Sequence, residues 1–290
     1  MEDKGYIILQ FMKIVKMHGA GNDFLLIDNF SGEFQRFLDS LGLKEVEVVK
    51  GLCDRQRGIG ADGLIIIEPS KGLGGDISWR FFNSDGSIAK MCGNGSRCAI
   101  YFAHLLGYCA KEATLETLVG LVYAKIVDKG RVQVELSSPK DFGKRELNID
   151  GVNILGRFIN TGVEHFVIFV DDIENIEVDK IGRKVRFHES FSPAGTNVNF
   201  VSLRDKEVYI RTYERGVESE TLSCGTGACA SAIALYLDGL IDSKSVKVIT
   251  RGGDKLIISF DESLSRVFLE GPVCKVFTAT LEEDFMCFSG

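Results

Sequence analysis

The feature that most constrains this chain is a unit that occurs twice. Met91-Cys92-Gly93-Asn94-Gly95-Ser96-Arg97-Cys98-Ala99 runs into the apolar stretch 100–106 and stops at Gly107; Ser223-Cys224-Gly225-Thr226-Gly227-Ala228-Cys229-Ala230 runs into 233–237 and stops at Gly239. Each reads Cys-Gly-Xaa-Gly, then a helical apolar pattern, then a glycine stop. The two leading cysteines are 132 residues apart in a chain of 290, so the spacing predicts an internal duplication with one such helix in each half. A chain of this length holds roughly two domains.

Strand-like segments surround the two helices, at 13–16, 24–27, 63–67, 77–82, 113–116, 121–127 and 131–136, and again at 156–160, 164–170, 198–203, 208–213, 246–250, 255–259, 265–269 and 273–280. Gly, Asn, Asp and Ser punctuate them, the mark of strands joined by turns. The pattern predicts a β-rich protein with few helices. The orderly pattern starts at Met12, and residues 1–11 read as an extension outside the main fold.

Composition narrows the function classes. Basic residues number 34 and acidic residues 41, a net charge of −7, and no Lys/Arg face marks a nucleic-acid or anionic-lipid partner. A small-molecule substrate is the expected partner. No apolar run approaches the ~18 to 20 residues of a membrane span, and Glu2, Asp3 and Lys4 beside a brief apolar patch do not make a secretory signal. The expected compartment is the cytoplasm. There, the eight cysteines at 53, 92, 98, 109, 224, 229, 274 and 287 read mostly as reduced thiols. Cys53, Cys98, Cys109, Cys229, Cys274 and Cys287 read singly as small buried hydrophobes. Zinc is disfavoured, because no Cys-Xaa-Xaa-Cys occurs.

A cysteine placed just before a helix sits where backbone N–H groups point outward and the macrodipole is positive. Its thiolate is favoured there. The neighbouring glycines let a carboxylate approach the same N–H groups. One such unit suits a nucleophile, whereas two suit inversion of a stereocentre. A thiolate removes a proton from one face of a carbon, and a thiol returns one to the other. Like charges disfavour ionising both sulfurs at once, and their titrations are coupled. Such chemistry needs no metal and no cofactor. Accordingly Gly19-Ala20-Gly21 and Gly58-Ile59-Gly60 lack the rest of a dinucleotide fingerprint.

Three polar turns follow: Gly19-Ala20-Gly21-Asn22-Asp23-Phe24, Asn83-Ser84-Asp85-Gly86 and Gly195-Thr196-Asn197-Val198-Asn199. Each taken singly reads as a turn. Glu214-Arg215-Gly216, shortly before Cys224, joins a carboxylate for an ammonium to a guanidinium for a carboxylate, as an amino-acid substrate requires; a surface salt bridge is the plainer reading. His165, after Gly162-Val163-Glu164, is placed to tune a nearby thiol, whereas His18, His104 and His188 have no distinguishing context.

Met17-His18-Gly19-Ala20-Gly21-Asn22-Asp23-Phe24, Phe82-Asn83-Ser84-Asp85-Gly86 with the Cys92 unit, and Glu214-Arg215-Gly216 with Cys224-Gly225-Thr226-Gly227 together resemble the diaminopimelate epimerase family. The resemblance runs over 12–281. It implies a mixed α/β (α+β) fold of two pseudo-symmetric β-barrel-like domains, each wrapped around a central helix, with the active site between them. The implied division is 12–136 and 137–271, with a last strand at 272–284 returning to the first domain. The implied reaction is interconversion of LL- and meso-2,6-diaminopimelate without cofactor, on the route to lysine and peptidoglycan. Cys92 and Cys224 would be the two bases. Gly93, Asn94, Gly225 and Thr226 would cradle the carboxylate at the reacting carbon. Asn22, Asn83, Asn197, Glu214 and Arg215 would contact the substrate, with His165 and Glu214 tuning the thiols.

The chain departs from the family at three places. Gly63 stands where many members have glutamine, Gly162-Val163-Glu164-His165 stands where members often have Gly-Asn-Pro-His, and 218–220 is one residue longer than the commonest form. A two-thiol racemase of another amino acid, and a redox-sensing binding protein whose thiols form a disulfide, stay open as alternatives. The oligomeric state is also open, a homodimer among the options.

Overall fold

The computed structural model describes residues 12–281. The extension 1–11, Cys287 and the 282–284 end of the expected last strand lie outside the described residues. The described residues form two compact units, one made of 12–18, 23–121 and 274–281, the other of 19–22 and 122–273. In both, a helix-linked parallel strand pair is followed by an antiparallel return, a cysteine-capped helix and one more parallel strand.

In the first unit, β1 (Met12–Gly19) leads through a tight turn, with left-handed Ala20 and Gly21, into β2 (Asn22–Asp28). Helices α1 (Glu33–Leu41) and α2 (Glu45–Cys53) then carry the chain over to β3 (Gly63–Pro69), which lies parallel to β2. A parallel partner needs such a crossover. The run Leu64 to Ile67 is fully buried, as expected of a strand covered on both faces. β4 (Ile77–Asn83) returns antiparallel to β3, bringing Gly63 opposite Asn83. Then come α3 (Gly93–Leu105) and β5 (Glu112–Thr117), which is parallel to β4.

The second unit repeats this order. β6 (Gly120–Asp128) and β7 (Arg131–Leu136) form a hairpin, and β8 (Lys140–Ile149) pairs with β9 (Val152–Asn160). β10 (Glu164–Phe169), α4 (Val178–Arg186) and β11 (Asn197–Arg204) make the parallel crossover; β12 (Glu207–Glu214) returns antiparallel. After the short β13 (Ser219–Thr221) come α5 (Gly225–Leu237) and β14 (Ser245–Ile249), which is parallel to β12. β15 (Lys255–Phe260) and β16 (Val267–Pro272) follow, and β16 pairs with β7. That pairing is why 122–136 cluster with the second unit. β17 (Cys274–Leu281) lies antiparallel to β1, Leu281 opposite Met12.

The two central helices are alike. α3 and α5 each have 13 residues, and both bury Cys, Ala and Ile side chains on most of their faces. A helix apolar all round belongs inside a core. α5 packs against β9 to β12 and β14 to β16, and α3 against β3 and β5. Two pseudo-symmetric halves of mixed α/β type, each with a central helix, are therefore present as expected.

The structure adds three helices that the sequence reading did not pick out. α1 buries Phe34, Phe37 and Leu38 on one stripe between two left-handed glycines, Gly32 and Gly42. α2 buries Val48, Val49, Leu52 and Cys53, and the Glu47 carboxylate accepts the Lys44 N–H at its start. Together they form one core with β2 and β3. α4 packs Val178 and Val185 against Phe166, Phe200 and Tyr213 in the second unit's core. Its Gly182 permits this approach, because a Cβ there would lie 2.5 Å from that of Tyr213.

The lone cysteines divide. Cys53, Cys98 and Cys229 are buried as expected, Cys109 is half-buried, and Cys274 is exposed on β17. Cys274 corrects the reading of it as a buried hydrophobe: the start of β17, 274–278, is exposed on both faces of the pleat. Burial pushes the thiols of Cys53 and Cys98 up to about 12 and that of Cys109 to about 11, so all three stay protonated and inert at neutral pH.

Candidate active site

Cys92 is the N-cap of α3. Its backbone is extended (φ −150°), and its sulfur accepts the N–H of Gly95 at 3.4 Å while its carbonyl accepts that of Ser96 at 2.8 Å. A thiolate here meets an oriented backbone donor and the positive end of a buried helix. Gly93 and Asn94 supply the first turn. The Asn94 amide oxygen accepts from the Arg97 guanidinium at 2.7 Å, and that guanidinium also reaches the Gly93 carbonyl at 3.4 Å. Arg97 is wholly buried, so its positive charge stands inside the same turn that carries the sulfur.

Cys224 is the N-cap of α5 and 8% exposed. Its sulfur lies 3.6 Å from the Thr226 hydroxyl, and its carbonyl accepts the Ala228 N–H at 2.9 Å. Thr226 is held from both sides. Its carbonyl accepts the Thr161 hydroxyl at 2.9 Å, and its own hydroxyl lies 3.0 Å from Nε2 of His165. His165 has no solvent exposure. Burial first, then the nearby Arg215 charge, lower its pKa to about 3, leaving a neutral ring at physiological pH.

Asn197 and Arg215 meet in the same unit. The Asn197 amide oxygen accepts the Arg215 backbone N–H at 2.7 Å, and its amide nitrogen donates to the Glu164 carbonyl at 3.2 Å. The Arg215 guanidinium pairs with the Glu164 carboxylate at 2.9 Å. The Glu214 carboxylate accepts the Thr221 hydroxyl at 3.0 Å. In the first unit, Asn83 ends β4 and donates from its side chain to Ser87 at 2.9 Å. Asn22 opens β2 and is half-buried.

The structure thus gathers Cys224, Gly225, Thr226, His165, Asn197 and Arg215 around the start of α5, and Cys92, Gly93 and Asn94 around the start of α3. His104 and His188 serve locally: His104 Nδ1 contacts the Cys109 carbonyl at 3.0 Å, and His188 Nδ1 accepts the Ser190 N–H at 3.2 Å. Among the described residues no group of three or more His, Cys, Asp or Glu is placed to hold a metal ion, and no helix is long and apolar enough to cross a membrane. In the sequence Asn199 reads only as part of a turn, and Thr212 and Thr161 carry no mark as site residues. For Asn199 and Thr212 the available signal was a polar residue among the apolar positions of a strand, and the register places the two opposite each other.

A family model described as diaminopimelate epimerase matches residues 14–141 and 157–276. The chain belongs to the diaminopimelate epimerase family. The diaminopimelate epimerase of Aquifex aeolicus is 48% identical over 277 residues, 95% of this chain and 99% of that one. That of Hydrogenobaculum is 46% identical, over 93% and 98%. A solved hydroxyproline epimerase from Agrobacterium vitis shares the fold at a TM-score of 0.69 and 16% identity, over 97% of this chain and 94% of that one. Gly63 opens β3 so close to its neighbour that a Cβ would lie 2.5 Å from the Phe82 carbonyl oxygen. Before Cys224, Glu218 has a left-handed backbone (φ 59°), and its carboxylate pairs with Arg186 at 3.1 Å.

Proposed function

We propose that this protein interconverts LL- and meso-2,6-diaminopimelate by proton transfer at one α-carbon, in the making of lysine and peptidoglycan precursors. The observation that carries the reading is the matched placement of Cys92 and Cys224, each the N-cap of the central helix of its half. One sulfur, as thiolate, takes the α-proton; the resulting planar carbanion receives a proton on its other face from the second sulfur, as thiol. At the end the two sulfurs have exchanged protonation states. The first-turn N–H groups at Gly93, Asn94, Gly225 and Thr226 hold the carboxylate of the reacting carbon, where charge develops. Asn22, Asn83, Asn197, Glu214 and Arg215 hold the rest of the substrate, and His165 with Glu214 tunes the thiols. This chemistry calls for no metal or cofactor.

The protein works in the cytoplasm on a small molecule, and a homodimer is the assembly to test by sedimentation. The reaction is tested by proton NMR of reduced protein in heavy water with LL-diaminopimelate and nothing else added. Loss of the α-proton signal together with appearance of the meso form is the expected result. A persistent α-proton overturns the substrate assignment. Cys92→Ala and Cys224→Ala each abolish net inversion, and full inversion by either variant overturns the two-base scheme.

A further inference from the structure

A line of hydrogen bonds runs through the second unit and ends on the Cys224 sulfur. The Thr212 hydroxyl donates to the amide oxygen of Asn199 at 2.9 Å; the Asn199 amide nitrogen lies 3.0 Å from His165 Nδ1; His165 Nε2 lies 3.0 Å from the Thr226 hydroxyl; that hydroxyl lies 3.6 Å from the sulfur. Thr212, Asn199 and His165 are all buried. They stand on three successive strands of one sheet, β12, β11 and β10, whose register sets Asn199 opposite Thr212.

The direction of each bond follows from the groups themselves. An amide nitrogen only donates, so Nδ1 of a neutral imidazole must accept from it, and the ring proton stands on Nε2. Nε2–H then donates to the Thr226 oxygen, which leaves the Thr226 proton for an acceptor of its own. The sulfur is within reach. We propose that Asn199 and Thr212 are positioning residues for Cys224: by fixing the tautomer of His165 they turn the Thr226 hydroxyl into a hydrogen-bond donor to the Cys224 thiolate.

Two features fit this arrangement. The ring must stay neutral, because an imidazolium would face the Asn199 amide donor to donor; burial and the Arg215 charge, the charged group that acts on the ring, both keep it so. The helix must also come close, and it does so at Gly227, where a Cβ would lie 2.3 Å from the Asn199 amide oxygen. Cys92 is served otherwise, by the backbone N–H of Gly95. The Gly95 main chain thus acts on one sulfur and the Thr226 side chain on the other. The positioning role rests on the reading of Cys224 as a base.

The test is the pH profile of alkylation by iodoacetamide, read peptide by peptide on the whole protein without substrate. In Asn199→Leu the midpoint for Cys224 rises by about one pH unit, the size of one charge-assisted hydrogen bond, while that for Cys92 stays in place. Movement of neither thiol, or of both equally, overturns the proposal. Should Asn199→Leu fail to fold, long-range nitrogen–proton NMR of the unaltered protein decides. A proton on Nε2 of His165 supports the chain, and a proton on Nδ1 overturns it. Because no substrate enters either readout, a protein that leaves LL-diaminopimelate untouched yet shows the Cys224 shift loses the substrate and keeps the positioning role.

Discussion

The Arg215 guanidinium and the Glu164 carboxylate stand 2.9 Å apart, about a quarter and a third exposed, while the Arg215 backbone is pinned separately by the Asn197 amide oxygen at 2.7 Å. Guanidinium and carboxylate are thus joined by a half-exposed pair, and the main chain that carries the guanidinium is fixed without it. Half-exposed pairs of this kind contribute about 1 kcal/mol or less. Glu164→Gln is therefore expected to change unfolding free energy by no more than about 1 kcal/mol in urea titration. Arg215→Met, which removes the cation proposed for a substrate carboxylate, is expected to raise KM about 10-fold to 100-fold, the size of a charged hydrogen bond, with little change in kcat. An unchanged KM removes Arg215 from the binding set.

A buried neutral histidine gives acid sensitivity with a defined window. The unfolded chain protonates His165 near its ordinary value of 6.5, whereas the folded chain resists down to about 3. As pH falls from 6.5 toward 3 the unfolded state binds the extra proton, and stability drops by at most about 1.4 kcal/mol per pH unit from this group. His165→Gln is expected to flatten that limb. Urea unfolding at pH 6.5 and 4.5, compared between the two proteins, measures the difference; parallel limbs would show that His165 is protonated in the fold.

The equivalent glycines of the two units are not equally replaceable. A Cβ on Gly227 would meet the Asn199 amide oxygen at 2.3 Å, whereas one on Gly95 would meet only Ile65 Cδ1, at 3.3 Å, and other side chains beyond. Overpacking costs about 1 to 3 kcal/mol, against a helical gain of about 0.5 to 1 kcal/mol for alanine over glycine. Gly227→Ala is expected to be the less stable of the two alanine variants by at least about 1 kcal/mol in denaturant titration. Equal midpoints would mean that Asn199 has room to move.

One carboxylate fastens a whole loop in the first unit. Glu116 accepts from the Ser70 hydroxyl and from the N–H groups of Lys71, Leu73 and Gly75, at 2.6 to 3.0 Å. These donors hold its carboxyl at about 2, below the usual 4.5, with the Ser70 hydroxyl the largest contributor. The stabilisation is full above pH 4.5 and fades as pH falls toward 2. In Glu116→Gln the amides of Lys71, Leu73 and Gly75 are expected to exchange with heavy water faster at neutral pH, while those of β3 do not change. Unaltered exchange in the loop would show that the remaining bonds suffice to order it.

The halves, their central helices and both helix-start thiols were legible because each depends on local signals: a cysteine, glycines and an apolar run in fixed order. Most of the strand pattern and the turn at 19–24 were legible for the same reason, whereas β8 at Lys140–Ile149 and the short β13 were not read as strands. What escaped depends on partners distant in sequence. Helix α4 contains Asp179, Lys180, Arg183, Lys184 and Arg186 and reads as polar until Phe166 and Tyr213 are set against its Val178 and Val185. Asn199 and Thr212 look like turn and strand residues until sheet register brings them together. Glu164 was noted only as a departure in sequence, and its ion pair with Arg215 spans 51 residues.

The pairing of β17 with β1 has a consequence for how the protein is made. Met12 stands opposite Leu281 and Lys16 opposite Phe277, so one edge of β1 waits for a strand made about 260 residues later. Most of the second unit, 122–273, is continuous and emerges before that partner. Domains fold as units while the chain is being made. During synthesis β2 to β5 can pair as they emerge, whereas the β17 edge of β1 closes only after the whole of 122–273 has been made.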